Sequence, residues 1–115
     1  MAQKPMSPSA SSLRLGIIFL TVSTAILHLF LGLTAGLPLF VLAGLGYLVL
    51  LAALYLPIAQ LAPYQNTTRW ILIGYTALIL LLWLVVGQRN AAGYIDKVVE
   101  LLLIVLLLAE ARQSR

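Results

Sequence analysis

LPLFVLAGLGYLVLLAALYL, residues 37–56, decides how this chain folds. Twenty residues pass without one charged side chain. A helix of that length measures about 30 Å, the thickness of a bilayer's hydrocarbon core. Pro38 falls in the first turn, where a missing N–H has no intrahelical acceptor to lose, and Pro57 marks the far end. A lone strand is excluded, because inside hydrocarbon every backbone N–H and C=O needs a partner that a helix supplies within one segment.

Three further runs flank this one. Leu15 to Leu31, LGIIFLTVSTAILHLFL, opens after Arg14 and closes at Gly32. It exceeds the ~7–15 residues of a signal-peptide core, so it reads as a retained span. Trp70 to Val86, WILIGYTALILLLWLVV, carries Trp70 and Trp83 near its ends, as interfacial anchors. Ala91 to Ala109, AAGYIDKVVELLLIVLLLA, differs: Asp96, Lys97 and Glu100 stand in its first half. The charge-free run Leu101 to Ala109 is too short to cross alone. The segment crosses if its charges face protein, and the alternative is a helix lying at the interface.

The expected fold is all-α, an integral membrane four-helix transmembrane bundle. Its spans cover about 15–31, 37–56, 70–86 and 91–109. They form a single domain, residues 13–112, behind a flexible cytoplasmic tail, residues 1–12 (MAQKPMSPSASS), which has no apolar period. Composition agrees. Hydrophobic residues make up 63% and charged residues 9%, against about 45–50% and about 25% in soluble domains. So few polar groups could not cover a soluble core of this size.

The absence of cysteine excludes disulfides and thiolate chemistry. Seven Lys and Arg against three acids give a net charge of +4. Nucleic-acid binding needs a basic face, whereas these cations are scattered at helix ends. The expected partner is therefore the lipid bilayer, with no nucleic acid.

Four spans put both termini and the link 58–68 on one side. Lys4, Arg14, Arg69, Arg112 and Arg115 lie there, against Arg89, and Lys97 if it snorkels, on the other. Lys and Arg accumulate on the cytoplasmic side. The chain thus reads as a multi-pass protein of the cell (plasma) membrane with N- and C-termini cytoplasmic. The sequon Asn66-Thr67-Thr68 then lies on the cytoplasmic side, and Arg69 beside Trp70 reads as an interfacial cation.

The residues that invite chemistry are Asp96, Lys97, Glu100 and His28. Asp96 and Glu100 are four apart and Lys97 precedes Glu100 by three, so all share one helical face. Glu100 lies about 10 Å inside the outer end of its span. An acid at that depth costs a few kcal/mol unless paired or turned inward. It is either a proton or cation site or half of a structural pair with Lys97. His28, the one histidine, sits at similar depth in the first span, within reach of Glu100. Thr21, Ala25, His28 and Gly32 form a small or polar stripe expected to face the bundle. Gly44, Gly46, Gly74 and Ala77 are expected to let helices approach closely. No catalytic residue, metal site or cofactor is expected: one histidine and two acids offer few donors, and no phosphate loop or nucleophile elbow occurs.

The length and span count resemble the small multidrug resistance transporters. Those rely on a membrane-embedded glutamate in the first span, and Leu15 to Leu31 contains no acid. The likeness covers size and hydropathy only, and no transport mechanism is carried over. Four pieces carry a second resemblance: Leu27-His28-Leu29-Phe30-Leu31-Gly32, Gly44-Leu45-Gly46-Tyr47-Leu48, Tyr55-Leu56-Pro57 and Tyr94-Ile95-Asp96-Lys97-Val98-Val99-Glu100. They look like an uncharacterised family of short four-span prokaryotic integral membrane proteins. The resemblance implies four spans and a prokaryotic membrane, and adds no activity. The reading is a non-enzymatic structural or accessory membrane component, self-associating as a homo-oligomer or held in a larger membrane complex. The alternative is a minimal proton- or cation-coupled transporter, or an ion-conducting oligomer, using the intramembrane carboxylate.

Overall fold

The computed structural model describes residues 8–86 and 91–113, with side chains over 11–85 and 91–113. Four helices follow one another: α1 (Pro8–Thr34), α2 (Pro38–Tyr55), α3 (Gln65–Val86) and α4 (Ala91–Gln113). A one-turn 3₁₀ helix, Ala62–Tyr64, leads into α3. The fold is an all-α bundle, with no strand among the described residues.

The turn from α1 to α2 is written in its glycine. Gly36 adopts φ 68°, the left-handed region that a side chain rarely enters. The Leu37 N–H donates to the Gly32 carbonyl at 2.8 Å, closing a Schellman-type end to α1. Pro38 then starts α2 with φ already helical.

Helix bounds differ from the apolar runs at several ends. Residues 8–12, expected in the tail, belong to α1. Pro8 is tolerated in a first turn, and the Ser-Ala run behind it contains nothing that blocks a helix. Residues 1–7 lie outside the described part, as do Gly87 to Asn90 and the last two residues. α3 begins five residues before Trp70 and α4 continues past Ala109, because polar residues extend a helix into the interface.

The helices form a ring in which α1 packs on α2, α2 on α3, α3 on α4 and α4 on α1. The diagonal pairs do not come together along their backbones. The closest seam runs between α1 and α2, where Gly44 is buried. A Cβ there would sit 2.8 Å from both the Ala25 carbonyl oxygen and Leu29 Cγ. Gly46 makes room for the Tyr75 side chain of α3. Gly74 does not fit the packing role expected of it: it is exposed, and the space around it is open. It lies on the outward face of α3, opposite the stripe Leu72–Thr76 that the ring encloses.

Polarity runs inside out. Thr21, Thr24, His28, Arg69, Thr76, Asp96, Lys97, Glu100 and Glu110 are buried, together with a small apolar core of Ile17, Ala25, Tyr47, Leu54, Leu72, Leu103 and Leu107. The large apolar side chains face outward: Phe19 is 70% exposed and Val85 80%. In water that arrangement would waste the hydrophobic effect, and in lipid it costs nothing. Ser11–Thr34, Pro38–Tyr55 and Ala62–Val85 are each long and apolar enough to cross a membrane. α4 does not meet that measure, because Asp96, Lys97, Glu100 and Glu110 interrupt it. The chain is a helical membrane protein.

Candidate functional site

α4 presents one inward stripe: Gly93, Asp96, Lys97, Glu100, Leu103, Leu107, Glu110 and Ala111 are all buried. Steps of three and four residues keep these positions on one face. Two polar layers result, separated by the apolar Leu103 and Leu107.

The outer layer gathers every site residue read from the sequence. Lys97 Nζ donates to Glu100 Oε1 at 2.5 Å and lies 3.2 Å from Asp96 Oδ2. α1 contributes Thr24, whose hydroxyl donates to Asp96 Oδ1 at 2.5 Å. α2 contributes Tyr47, whose hydroxyl donates to Glu100 Oε2 at 2.6 Å across the bundle diagonal. His28 stands beside them, its ring 5.5 Å from that of Phe40 and 5.6 Å from that of Tyr47. The expected inward stripe Thr21, Ala25, His28 and Gly32 is buried throughout. At the outer rim the Lys97 ammonium lies 5.8 Å from the Trp83 ring centre.

The tautomer of His28 follows from its neighbour. Nδ1 lies 2.8 Å from the Thr24 carbonyl oxygen, which only accepts, so Nδ1 carries the proton. Nε2 faces Asp96 Oδ2 at 3.6 Å and Glu100 Oε2 at 4.0 Å. Three electron-rich atoms converge, and all three donor groups lie within 4.8 Å of one another. A histidine that donates its other ring N–H to a carbonyl is oriented as metal-binding histidines are. His28, Asp96 and Glu100 are the residues that could hold a cation. Lys97, hydrogen-bonded into the same carboxylates, already supplies one positive charge there.

The charges do not balance without a further cation. Two carboxylates face one ammonium, and the side chain of Glu100 is completely buried. A proton on His28 Nε2, or on a carboxyl, would restore neutrality at a depth where an unmatched charge is costly.

The inner layer is not one the sequence reading assembled. Arg69, expected as an interfacial cation, is 2% exposed and donates from Nε to Glu110 Oε1 at 2.8 Å. Tyr55 donates to the other oxygen of Glu110 at 2.8 Å. Arg69 also donates to Asn66 Oδ1 at 3.1 Å. The start of α3 is helical from Gln65, so Arg69 lies a turn inside the helix rather than at its mouth. The signal that could have found the layer is spacing: Glu100, Leu103, Leu107 and Glu110 follow one stripe, as do Tyr47 and Tyr55.

No protein-family model, curated protein or solved structure matches this chain.

Proposed function

We propose that the chain is a four-span protein of a prokaryotic cell membrane, with cytoplasmic termini, whose outer polar layer takes up and returns one proton. That step would serve a minimal proton-coupled transporter or an ion-conducting oligomer. The observation that carries this reading is the charge count: two buried carboxylates, one ammonium, and an imidazole nitrogen aimed at both acids. A structural pair needs only one carboxylate for its ammonium. The second acid makes the layer one positive charge short, and a mobile proton fills that need.

Four spans are supported by the faces of α4. Its charges turn inward, while Ile95, Val98, Leu101, Leu102 and Val105 turn outward. An interfacial helix would present its charged face to water instead. Cytoplasmic termini are supported by Arg14, Arg69 and Arg112 at one end of the bundle against Lys97 at the other.

A structural or accessory role, in a homo-oligomer or a larger membrane complex, has one observation in its favour. The ammonium and carboxylates of the outer layer are hydrogen-bonded to one another, to Thr24 and to Tyr47, so the layer also serves as glue. Both readings are non-enzymatic.

Proton uptake per protein, measured on purified samples between about pH 5 and pH 8, separates the two. The proton reading expects one group in wild type to titrate and that group to vanish in His28→Gln or Glu100→Gln. It also expects proton flux into liposomes that the same variants abolish. A wild-type protein that takes up no proton in this window and leaves liposomes as tight as empty ones leaves only the structural role.

A further inference from the structure

The inner end of the bundle is the electrostatic opposite of the outer layer, and this carries a separate inference. Glu110 accepts from Arg69 and from Tyr55. Arg14 of α1 sits in the same neighbourhood, its guanidinium 5.1 Å from the Tyr55 ring centre. Among the described residues it has no carboxylate partner. Its Nε is buried without a hydrogen-bond acceptor, the one such side-chain atom among the described residues. A buried unmatched donor is rare in native proteins, and a charged one more so.

Arg14 lines a cavity of about 400 Å³ that opens to the surface between the end of α2 and the 3₁₀ turn. Apolar residues, among them Leu54, Leu56, Pro57 and Ile58, make up most of the wall, with Tyr55 and Gln65 as polar neighbours. Leu56 and Ile58 are half exposed, so the apolar wall runs out onto the surface that faces lipid.

The geometry points to a binding site for the phosphate group of an anionic glycerophospholipid, held by Arg14. Guanidinium is the side chain suited to phosphate, through paired charge-assisted hydrogen bonds. Volumes near 400 Å³ suit a small ligand; a headgroup with its glycerol is of that order, and acyl chains would continue along the outer face. Arg14 belongs to the end rich in Lys and Arg, which in membrane proteins faces the leaflet bearing negative surface potential. The lipid would supply the anion that the chain itself withholds from Arg14. This inference does not depend on the proton reading, since the two layers share no residue.

The test is binding of three probes to delipidated protein in detergent: phosphatidylglycerol, phosphatidylcholine and inorganic phosphate. Bound lipid is counted by native mass spectrometry and read again as a rise in Tm. Phosphatidylglycerol is expected to bind and stabilise wild type, and Arg14→Gln to weaken it by at least about tenfold, the loss of a paired charge-assisted contact. Arg112→Gln, which removes an exposed cation near the same end, is expected to bind as wild type does. Without lipid, Arg14→Gln is expected to melt close to wild type, because Arg14 is half-buried and the substitution removes a donor, Nε, that has no acceptor. If Arg14→Gln fails to fold, Arg14→Lys takes its place, retaining the charge but losing the fork. Equal binding by wild type and the Arg14 variant overturns the proposal. So does an equal loss in Arg112→Gln, or equal stabilisation by phosphatidylcholine. Arg14-dependent stabilisation by inorganic phosphate as strong as that by the lipid overturns the lipid as source.

Discussion

Lys97→Met removes the one ammonium that answers two buried carboxylates. Water cannot take its place, since Glu100 exposes none of its side chain and Asp96 only 6%. Removing one partner of a buried pair costs about 3–5 kcal/mol. The variant has one escape, which is to fold with a carboxyl protonated. At pH 7, against an ordinary carboxyl near 4.3, that takes about 2.7 pH units at 1.36 kcal/mol each, or about 3.7 kcal/mol. At pH 5 the same step costs about 1 kcal/mol. The folded variant then holds one proton more than the unfolded chain, so its stability falls as pH rises. Thermal melts in detergent are expected roughly 15 °C below wild type at pH 7 and roughly 4 °C below at pH 5. Adding Glu100→Gln to Lys97→Met removes one of the two stranded carboxylates and is expected to recover a large part of the loss. A deficit that does not change with pH would refute the reasoning, as would a double variant no more stable than Lys97→Met alone.

Gly44→Leu is expected to destabilise by about 1–3 kcal/mol, because the Ala25 carbonyl and Leu29 leave no room for it. Gly74→Leu, made into open space, is expected to melt close to wild type, and equal losses would mean the seam is misplaced. Arg69→Gln takes the guanidinium away from Glu110; a loss of about 3 kcal/mol or more is expected in detergent melts, and an unchanged Tm argues that the inner layer is open to water. Reporter fusions at both termini and after Tyr64 are expected to report cytoplasm, and one after residue 88 the outside. An external C-terminal reporter beside a cytoplasmic one after Tyr64 would mean that α4 does not cross.

Fold class was legible in the sequence because the bilayer imposes a simple condition on length and polarity. Residues 37–56 meet it without help from any other part of the chain. The outer layer was legible because Asp96, Lys97, Glu100 and His28 are the wrong residues for hydrocarbon, and local spacing alone brings three of them together. Their partners were not. Thr24 and Tyr47 are tolerable anywhere in a membrane helix, and only the ring order of α1, α2 and α4 aims them at the acids. Arg69 was misplaced, and Glu110 passed over, for a related reason. Near a span's end, a charge reads as solvated until a second charge is shown to face it, and these two stand forty-one residues apart. Gly74 failed in the opposite sense: a small residue signals a seam only when its face is known.

The inside-out polarity of α4 has a consequence for biogenesis. A helix carrying Glu100 near the middle of its span, with Asp96 and Lys97 a turn before it, is a poor substrate for insertion, since a charge at a helix centre costs about 2.5–3.5 kcal/mol. Thr24, His28, Tyr47 and Arg69, the groups that offset this cost, all lie upstream of it. Synthesis from the N-terminus delivers α1, α2 and α3 to the bilayer first, and α4 emerges when its hydrogen-bond partners are already in place. A chain permuted to begin with α4 would meet the insertion machinery with those charges bare. The order of helices is thus part of how the protein reaches the membrane, beyond being a route around the ring.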